Sequence, residues 1–326
     1  MKLSSMERIG YIDSLRGFAI LLVVVGHLIQ FNYSSFLESR LFNIIYSFHM
    51  PLFFFISGCA RALHRDGEIN LRILSIRVLN RFCALIIPSV VWSSIVPLFF
   101  LKLADLSWHL TSGYWFLNVL FVVSLFWECF LYFDTKLSKK WILYELSLLV
   151  LLLLFILGIK RIPIFYLSIF VFGFYFQRHQ WIDKINCHIY EILLFLFLIG
   201  VGNFKYGFNV AGDAARIWYQ IPLSVCASLC LMKLFSVLDS KSYRLSTYLG
   251  FIGQFTLGIY LAHFIFVEFG NFSFLETNFT PALLFVILIS MAVLISALCI
   301  LIQHVIKPFG WLYGVMYGKL NFFKQN

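Results

Sequence analysis

Stretches of about 20 apolar residues recur along the whole chain, separated by short polar breaks, and no other feature limits its fold so severely. A run of that length matches the hydrocarbon thickness of a bilayer. A segment crossing lipid must satisfy its own backbone groups, so each run reads as a transmembrane α-helix. Candidate spans lie at about 12–32, 43–60, 82–101, 114–133, 141–159, 162–177, 187–204, 217–237, 248–268 and 282–304. With 61% hydrophobic and 12% charged residues, the 326-residue chain departs far from a soluble domain, where charge runs near a quarter. The expectation is an all-α integral membrane protein. It is a bundle of about ten transmembrane helices that fills residues 1–326 as a single domain.

Charge position sets the orientation. Ten spans put both termini on one side, and alternate loops then divide the 25 Lys and Arg residues into nineteen and six. The richer side, which includes Lys2, Arg8, Arg16, Arg61, Arg65, Arg72, Arg77 and Arg81, is cytoplasmic by the positive-inside rule. The net charge of +10 is thereby explained without nucleic acid. The seven cysteines sit in or beside apolar runs with no CxxC and no Cys/His spacing for zinc, so they read as packing residues with neither disulfides nor metal. Asp13 and Arg16 interrupt the first apolar run and no small-x-small cleavage site follows it, so the first helix is expected to stay. The sixth span is short, with a re-entrant hairpin as its alternative, and residues 307–326 read as a helical tail along the cytoplasmic interface.

The chemistry concentrates in YIDSLRGFAILLVVVGH, residues 11–27. Arg16 and His27 are eleven residues apart, about three turns plus 20°, so their side chains leave one face of the helix at depths about 16 Å apart. Ionisable groups this deep usually face a bundle interior or a water-filled cavity. The plainer alternative makes Arg16 a topology signal and His27 an interhelical hydrogen bonder. With the orientation fixed, His27 of span one, His49 of span two and His263 of span nine all fall in the outer half. Each alone is accounted for by one hydrogen bond to a neighbouring helix, whereas three at one depth point to a shared polar layer.

Span two reads SFHMPLFFFISGCAR from Ser47 to Arg61. Beside the first segment it becomes specific, and the chain resembles the acyltransferase-3 family of integral-membrane O-acyltransferases. The resemblance rests on Asp13, Arg16, Gly17, Gly26 and His27, then Phe48, His49, Pro51, Phe53, Phe54, Ser57 and Gly58. Further along it rests on Arg81 and Pro88, Trp115 to Leu117, and the Gly253 to His263 stretch with its Gly-Ile-Tyr-Leu-x-His ending. The family often carries two arginines three apart at the start of the third helix, whereas Arg77 and Arg81 are four apart, still on one helical face.

The resemblance implies transfer of an acyl group, usually acetyl, from cytoplasmic acetyl-CoA to a carbohydrate hydroxyl, in a bacterial-type inner (plasma) membrane. No metal and no nucleic acid are implied; the partners are the lipid bilayer and the carbohydrate acceptor. His27 is then the catalytic base or acyl carrier, Arg16 its partner toward the donor, and Asp13 the residue that orients Arg16. Arg81, Arg77, Ser57 and Gly58 fall to the donor, with guanidinium forks suited to the phosphates of coenzyme A. His49, Trp115, Asn118, Tyr260 and His263 fall to the acceptor. No esterase-like soluble domain is expected, which favours a stand-alone glycan acyltransferase. A transporter or flippase with a histidine-lined path is the rival reading, and an acyltransferase acting on peptidoglycan or lipid differs only in its acceptor.

Overall fold

The computed structural model describes residues 10–64, 69–99, 113–136, 164–203, 214–241, 244–269 and 279–320. Its regular elements are helices throughout: α1 (Gly10–Asn32), a 3-10 turn (Phe36–Glu38), α2 (Arg40–Ala62), α3 (Leu71–Phe99), α4 (Trp115–Lys136), α5 (Ile164–Arg178), α6 (Trp181–Lys184), α7 (Cys187–Asn203), α8 (Ala214–Ser240), α9 (Arg244–Gln254), α10 (Thr256–Phe269), α11 (Pro281–Ile306) and α12 (Gly310–Tyr317). Six of them, α1, α2, α3, α4, α8 and α11, are long and apolar enough to cross a membrane, and α9 with α10 makes a seventh if that bent pair is one span. The protein is an all-α membrane fold. The expected fifth span, 141–159, lies outside the described residues.

Two compact units divide the chain. The first comprises residues 1–64 and 168–300, the second residues 65–167 and 301–326. In the first unit, α1 and α2 form the interior. Of their most apolar stretches 78% and 72% are buried, against 28% for α11. Ser39 caps α2, its hydroxyl accepting from Phe42 N–H at 3.3 Å, and Asp13 places a carboxylate in the first turn of α1, where the helix dipole favours it.

Small residues set how closely the helices approach. α1 packs most extensively on α9. There Gly17 and Gly253 face each other so tightly that a Cβ on the first would strike the Leu249 carbonyl and one on the second the Asp13 carbonyl. The Ser14 hydroxyl donates to the Ser246 carbonyl across the same crossing at 2.8 Å. α2 meets α5 in the same manner: Gly58 lies against the Phe170 carbonyl, Gly173 against that of Phe55, and the Cys59 thiol donates to the Gly173 carbonyl at 3.2 Å. Without a hydrophobic drive between helices in lipid, such backbone-close contacts carry the packing.

One expectation needs correction. The ninth span is broken rather than continuous: α9 and α10 meet at 78° around Phe255. The Thr256 hydroxyl donates to the Gly253 carbonyl at 2.6 Å, taking an acceptor left open where the ladder stops, and Gly250 and Gly253 weaken the preceding turns.

In the second unit, α3 packs against α4 and α12. Within the tail, α12 is helical and is docked on α3. Trp92 Nε1 donates to the Met316 carbonyl at 2.8 Å, and Gly318, at φ 65°, presses on Ala84. Phe309 and Trp311 stay outward, 62% and 76% exposed.

Candidate functional site

α1, α2 and α10 deliver three histidines to one polar layer in the first unit. His27 Nδ1 and His263 Nε2 are 2.7 Å apart in nearly coplanar rings, with an interplanar angle of 6°. His49 lies close enough to His27 to interact with it electrostatically. Gly26 makes room for this meeting, because a Cβ there would lie 2.9 Å from the Tyr46 ring, which stands edge-on to His49 at 4.5 Å. The Tyr46 hydroxyl donates to Gln30 Oε1 at 2.8 Å. Phe264 closes the apolar side, its ring 5.0 Å from His27 and 4.4 Å from His263.

Proton positions in the neutral rings follow from the acceptors they meet. His263 Nδ1 faces the carbonyls of Tyr260 at 2.7 Å and Ile259 at 3.1 Å. A carbonyl only accepts, so Nδ1 carries the hydrogen and Nε2 is left with a lone pair. His27 Nδ1 must then be the donor across the 2.7 Å contact, which leaves His27 Nε2 as the basic nitrogen. His49 Nδ1 is likewise committed to the Ile45 carbonyl at 2.8 Å, leaving its own Nε2 as an acceptor. His49 and His263 are buried at 2% and 0% exposure while His27 is partly open, so His27 is the member of the layer that a substrate can reach.

The N-terminal end of α1 holds the other pair. Arg16 Nη1 donates to Asp13 at 3.0 Å, with the guanidinium side chain 32% exposed. Asp13 and Arg16 are thus brought together as expected, and His27 stands apart from them by about 16 Å of helix. Between the two ends, Ile20 and Val23 lie on the same face and are buried, at 0% and 1% exposure.

The residues expected at the donor divide. In the second unit Arg77 Nη1 meets Glu128 at 3.2 Å, an ion pair with the carboxylate side chain only 5% exposed, while Arg81 is exposed one turn further along α3. In the first unit the Ser57 hydroxyl donates to the Phe53 carbonyl at 2.7 Å within its own helix, and Gly58 is spent on the crossing with α5. The residues expected at the acceptor also divide. His49, Tyr260 and His263 join the histidine layer, with the Tyr260 ring 5.8 Å from His263. Trp115 and Asn118 belong to the second unit, where Trp115 packs at 5.5 Å on Tyr166 and Asn118 Oδ1 accepts from Ser89 at 3.4 Å.

Two polar residues escaped the sequence reading. Glu128 is a lone carboxylate inside an apolar run, a signal the sequence does contain. Gln220 on α8 is 2% exposed, and neither its amide nitrogen nor its oxygen has a hydrogen-bond partner among the described residues. Among those residues no group of three or more His, Cys, Asp or Glu side chains is placed to hold a metal ion.

Comparison with known proteins identifies the family. The acyltransferase domain model of the acyltransferase-3 family matches residues 9–301. The nodulation protein NolL of Sinorhizobium fredii is 30% identical over 210 residues, covering 56% of each chain. The nodulation protein NolL of Mesorhizobium japonicum is 24% identical over 347 positions, covering 94% of this chain and 89% of that one. The match to the first therefore spans little more than half of its length. No solved structure gives a significant match. A membrane fold whose first helix carries Arg16 and His27 on one face, matched along most of its length by that domain model, belongs to the acyltransferase-3 family of membrane acyltransferases.

Proposed function

We propose that the protein transfers an acetyl group from cytoplasmic acetyl-CoA to a hydroxyl of a cell-surface polysaccharide or its lipid-linked precursor, in a bacterial-type inner membrane. The observation that carries this reading is the His27 imidazole. It is partly open, has its Nδ1 engaged by His263 and its Nε2 left basic, and sits deep in a membrane helix. A base so placed removes the proton of an acceptor hydroxyl as its oxygen attacks the thioester carbonyl. The new carbon–oxygen bond forms, the carbon–sulfur bond breaks, and the proton on His27 Nε2 passes to the leaving thiolate. Tyr46, half-buried beside the layer, suits the apolar face of a sugar.

The donor's charge belongs at the other end. There Arg16, oriented by Asp13, is a guanidinium group suited to the phosphates of the donor, and Arg81, exposed on α3 of the second unit, has the same chemistry. Arg77, already paired with Glu128, is better suited to hold α3 against α4.

The test is proton NMR and mass spectrometry of surface polysaccharide from cells with and without the chain. Base-labile O-acetyl groups that depend on the chain are the expected result. A chemically identical polysaccharide whose external amount alone changes would replace the transferase by a transport route along the same histidines.

A further inference from the structure

We propose that His263 is a positioning residue for the acyl transfer: it fixes His27 in the single tautomer whose Nε2 is the base. This rests on the reading of His27 as the base. His263 sits 236 residues from His27, yet its Nε2 meets His27 Nδ1 at 2.7 Å. It has no surface of its own with which to touch a substrate, being 0% exposed. Its other nitrogen is locked onto the Tyr260 and Ile259 carbonyls of its own helix, so the ring can only accept from His27. A neutral imidazole alone is free to carry its hydrogen on either nitrogen, and only one of the two forms presents a lone pair at Nε2. The arrangement repeats, with a backbone carbonyl and a second imidazole, the role a buried acceptor plays behind a catalytic histidine elsewhere.

The broken helix serves this contact. α9 is pinned to α1 by the Gly17 and Gly253 crossing, and the 78° bend at Phe255 resets the direction of α10, on which His263 is carried. When His27 takes the proton of the acceptor hydroxyl, it bears hydrogens on both nitrogens, and its Nδ1–H still points at the lone pair of His263. No proton leaves His27 toward His263. The only proton that moves goes from hydroxyl oxygen to His27 Nε2 and on to the departing sulfur.

The test uses the full chain, labelled with 15N-histidine and held in detergent micelles, together with membrane vesicles supplied with radiolabelled acetyl-CoA. In the spectrum, His27 is identified by the signal lost in His27→Gln. It is expected as the Nδ1–H form in the wild type, to lose that preference in His263→Leu and to keep it in His263→Gln, whose amide oxygen accepts the same hydrogen. Label incorporation into polymer at saturating acetyl-CoA is expected to fall about 10- to 100-fold in His263→Leu, the loss of one hydrogen bond to a group that becomes charged, and to recover most of the way in His263→Gln. The half-saturating acetyl-CoA concentration should not move. A wild-type His27 in the Nε2–H form, an unchanged tautomer and rate in His263→Leu, or a His263→Gln variant as slow as His263→Leu each overturns the proposal. If His263→Leu fails to fold, the wild-type spectrum and His263→Gln still decide it. Full incorporation in His27→Gln would instead remove the reading of His27 as the base, while the tautomer spectra would still report on the contact.

Discussion

Alanine at the α1 and α9 crossing links packing to chemistry in one substitution. A Cβ on Gly17 would lie 2.8 Å from the Leu249 carbonyl carbon and 3.0 Å from Gly253 N, and one on Gly253 would lie 2.8 Å from the Asp13 carbonyl carbon and 3.0 Å from Gly17 N. Ordinary contact begins at 3.4 Å, so the helices must part by about 0.6 Å to clear the carbon and further to clear the oxygen. The obstacle is backbone on both sides, which cannot swing away as a side-chain tip does. Overpacking of this kind costs about 1–3 kcal/mol per site. Both methyl groups would enter one crossing, so the double variant should cost less than the sum of the singles by about 0.5–3 kcal/mol. Because α9 leads directly into the bend before His263, the 2.7 Å contact to His27 stretches as the helices part. Misplacement near 1 Å costs on the order of 10²-fold in rate, and Gly17→Ala and Gly253→Ala should each lose about 10- to 100-fold in acetylation. Thermal unfolding of each purified variant in micelles, read by size exclusion, gives the stability, and polysaccharide O-acetyl content gives the activity. Wild-type stability and acetylation in both singles would refute the crossing as described.

Other substitutions separate the remaining roles. His27→Ala should abolish acetylation while the protein stays folded in the membrane, and acetylation retained in that variant removes His27 from the mechanism. Arg81→Ala should raise the half-saturating acetyl-CoA concentration and leave the acceptor dependence alone; equal effects on both would make it a structural residue. Glu128→Leu removes the carboxylate that meets the Arg77 guanidinium in a mostly buried site and should destabilise by about 3–5 kcal/mol, whereas Arg77→Met combined with Glu128→Leu should recover most of that loss. A double variant as unstable as Glu128→Leu would show that the pair is not coupled. Gln220→Met exchanges two buried amide atoms, unpartnered among the described residues, for an apolar chain of similar size, so its melting temperature should hold or rise, and a clear drop would mean that the amide has a partner in the folded protein.

Apolar run length alone exposes α1, α2, α3, α4, α8 and α11, because crossing lipid leaves a chain no alternative to a helix. The break at Phe255 was not legible for a related reason. A bend inside a membrane span is hidden when both halves are apolar, and glycines at 250 and 253 read equally well as packing residues in a straight helix. What bends the chain is tertiary: Gly253 is held against the Asp13 carbonyl while its own carbonyl turns to the Thr256 hydroxyl. Nor does periodicity reveal which face of a helix meets protein, since the lipid-facing side is apolar as well. The close seat of α2 on α5 through Gly58 is therefore invisible until the partner backbone is placed.

The polar layer was legible in depth and not in partnership. Counting residues inward from each span boundary put His27, His49 and His263 at one level, but nothing local says that His263 reaches His27, or that Arg77 meets a carboxylate 51 residues away. The shared face of Arg16 and His27 invites a continuous polar path, and the folded chain contradicts that picture at Ile20 and Val23, both buried between them on the same face. On the proposed reading this closure separates two kinds of chemistry. Charge on the donor is met at the N-terminal end of α1 by the Arg16 guanidinium, which stays partly exposed. The proton moves in the outer layer, where His27 has its tautomer set by His263. Only the uncharged acyl end of the donor has to pass the apolar stretch, and a barrier of packed aliphatic side chains admits a thioester far more cheaply than a phosphate or a stray hydroxide. The closed stretch between Arg16 and His27 thus keeps water away from the activated acyl group while leaving both ends of the reaction in reach of their own residues.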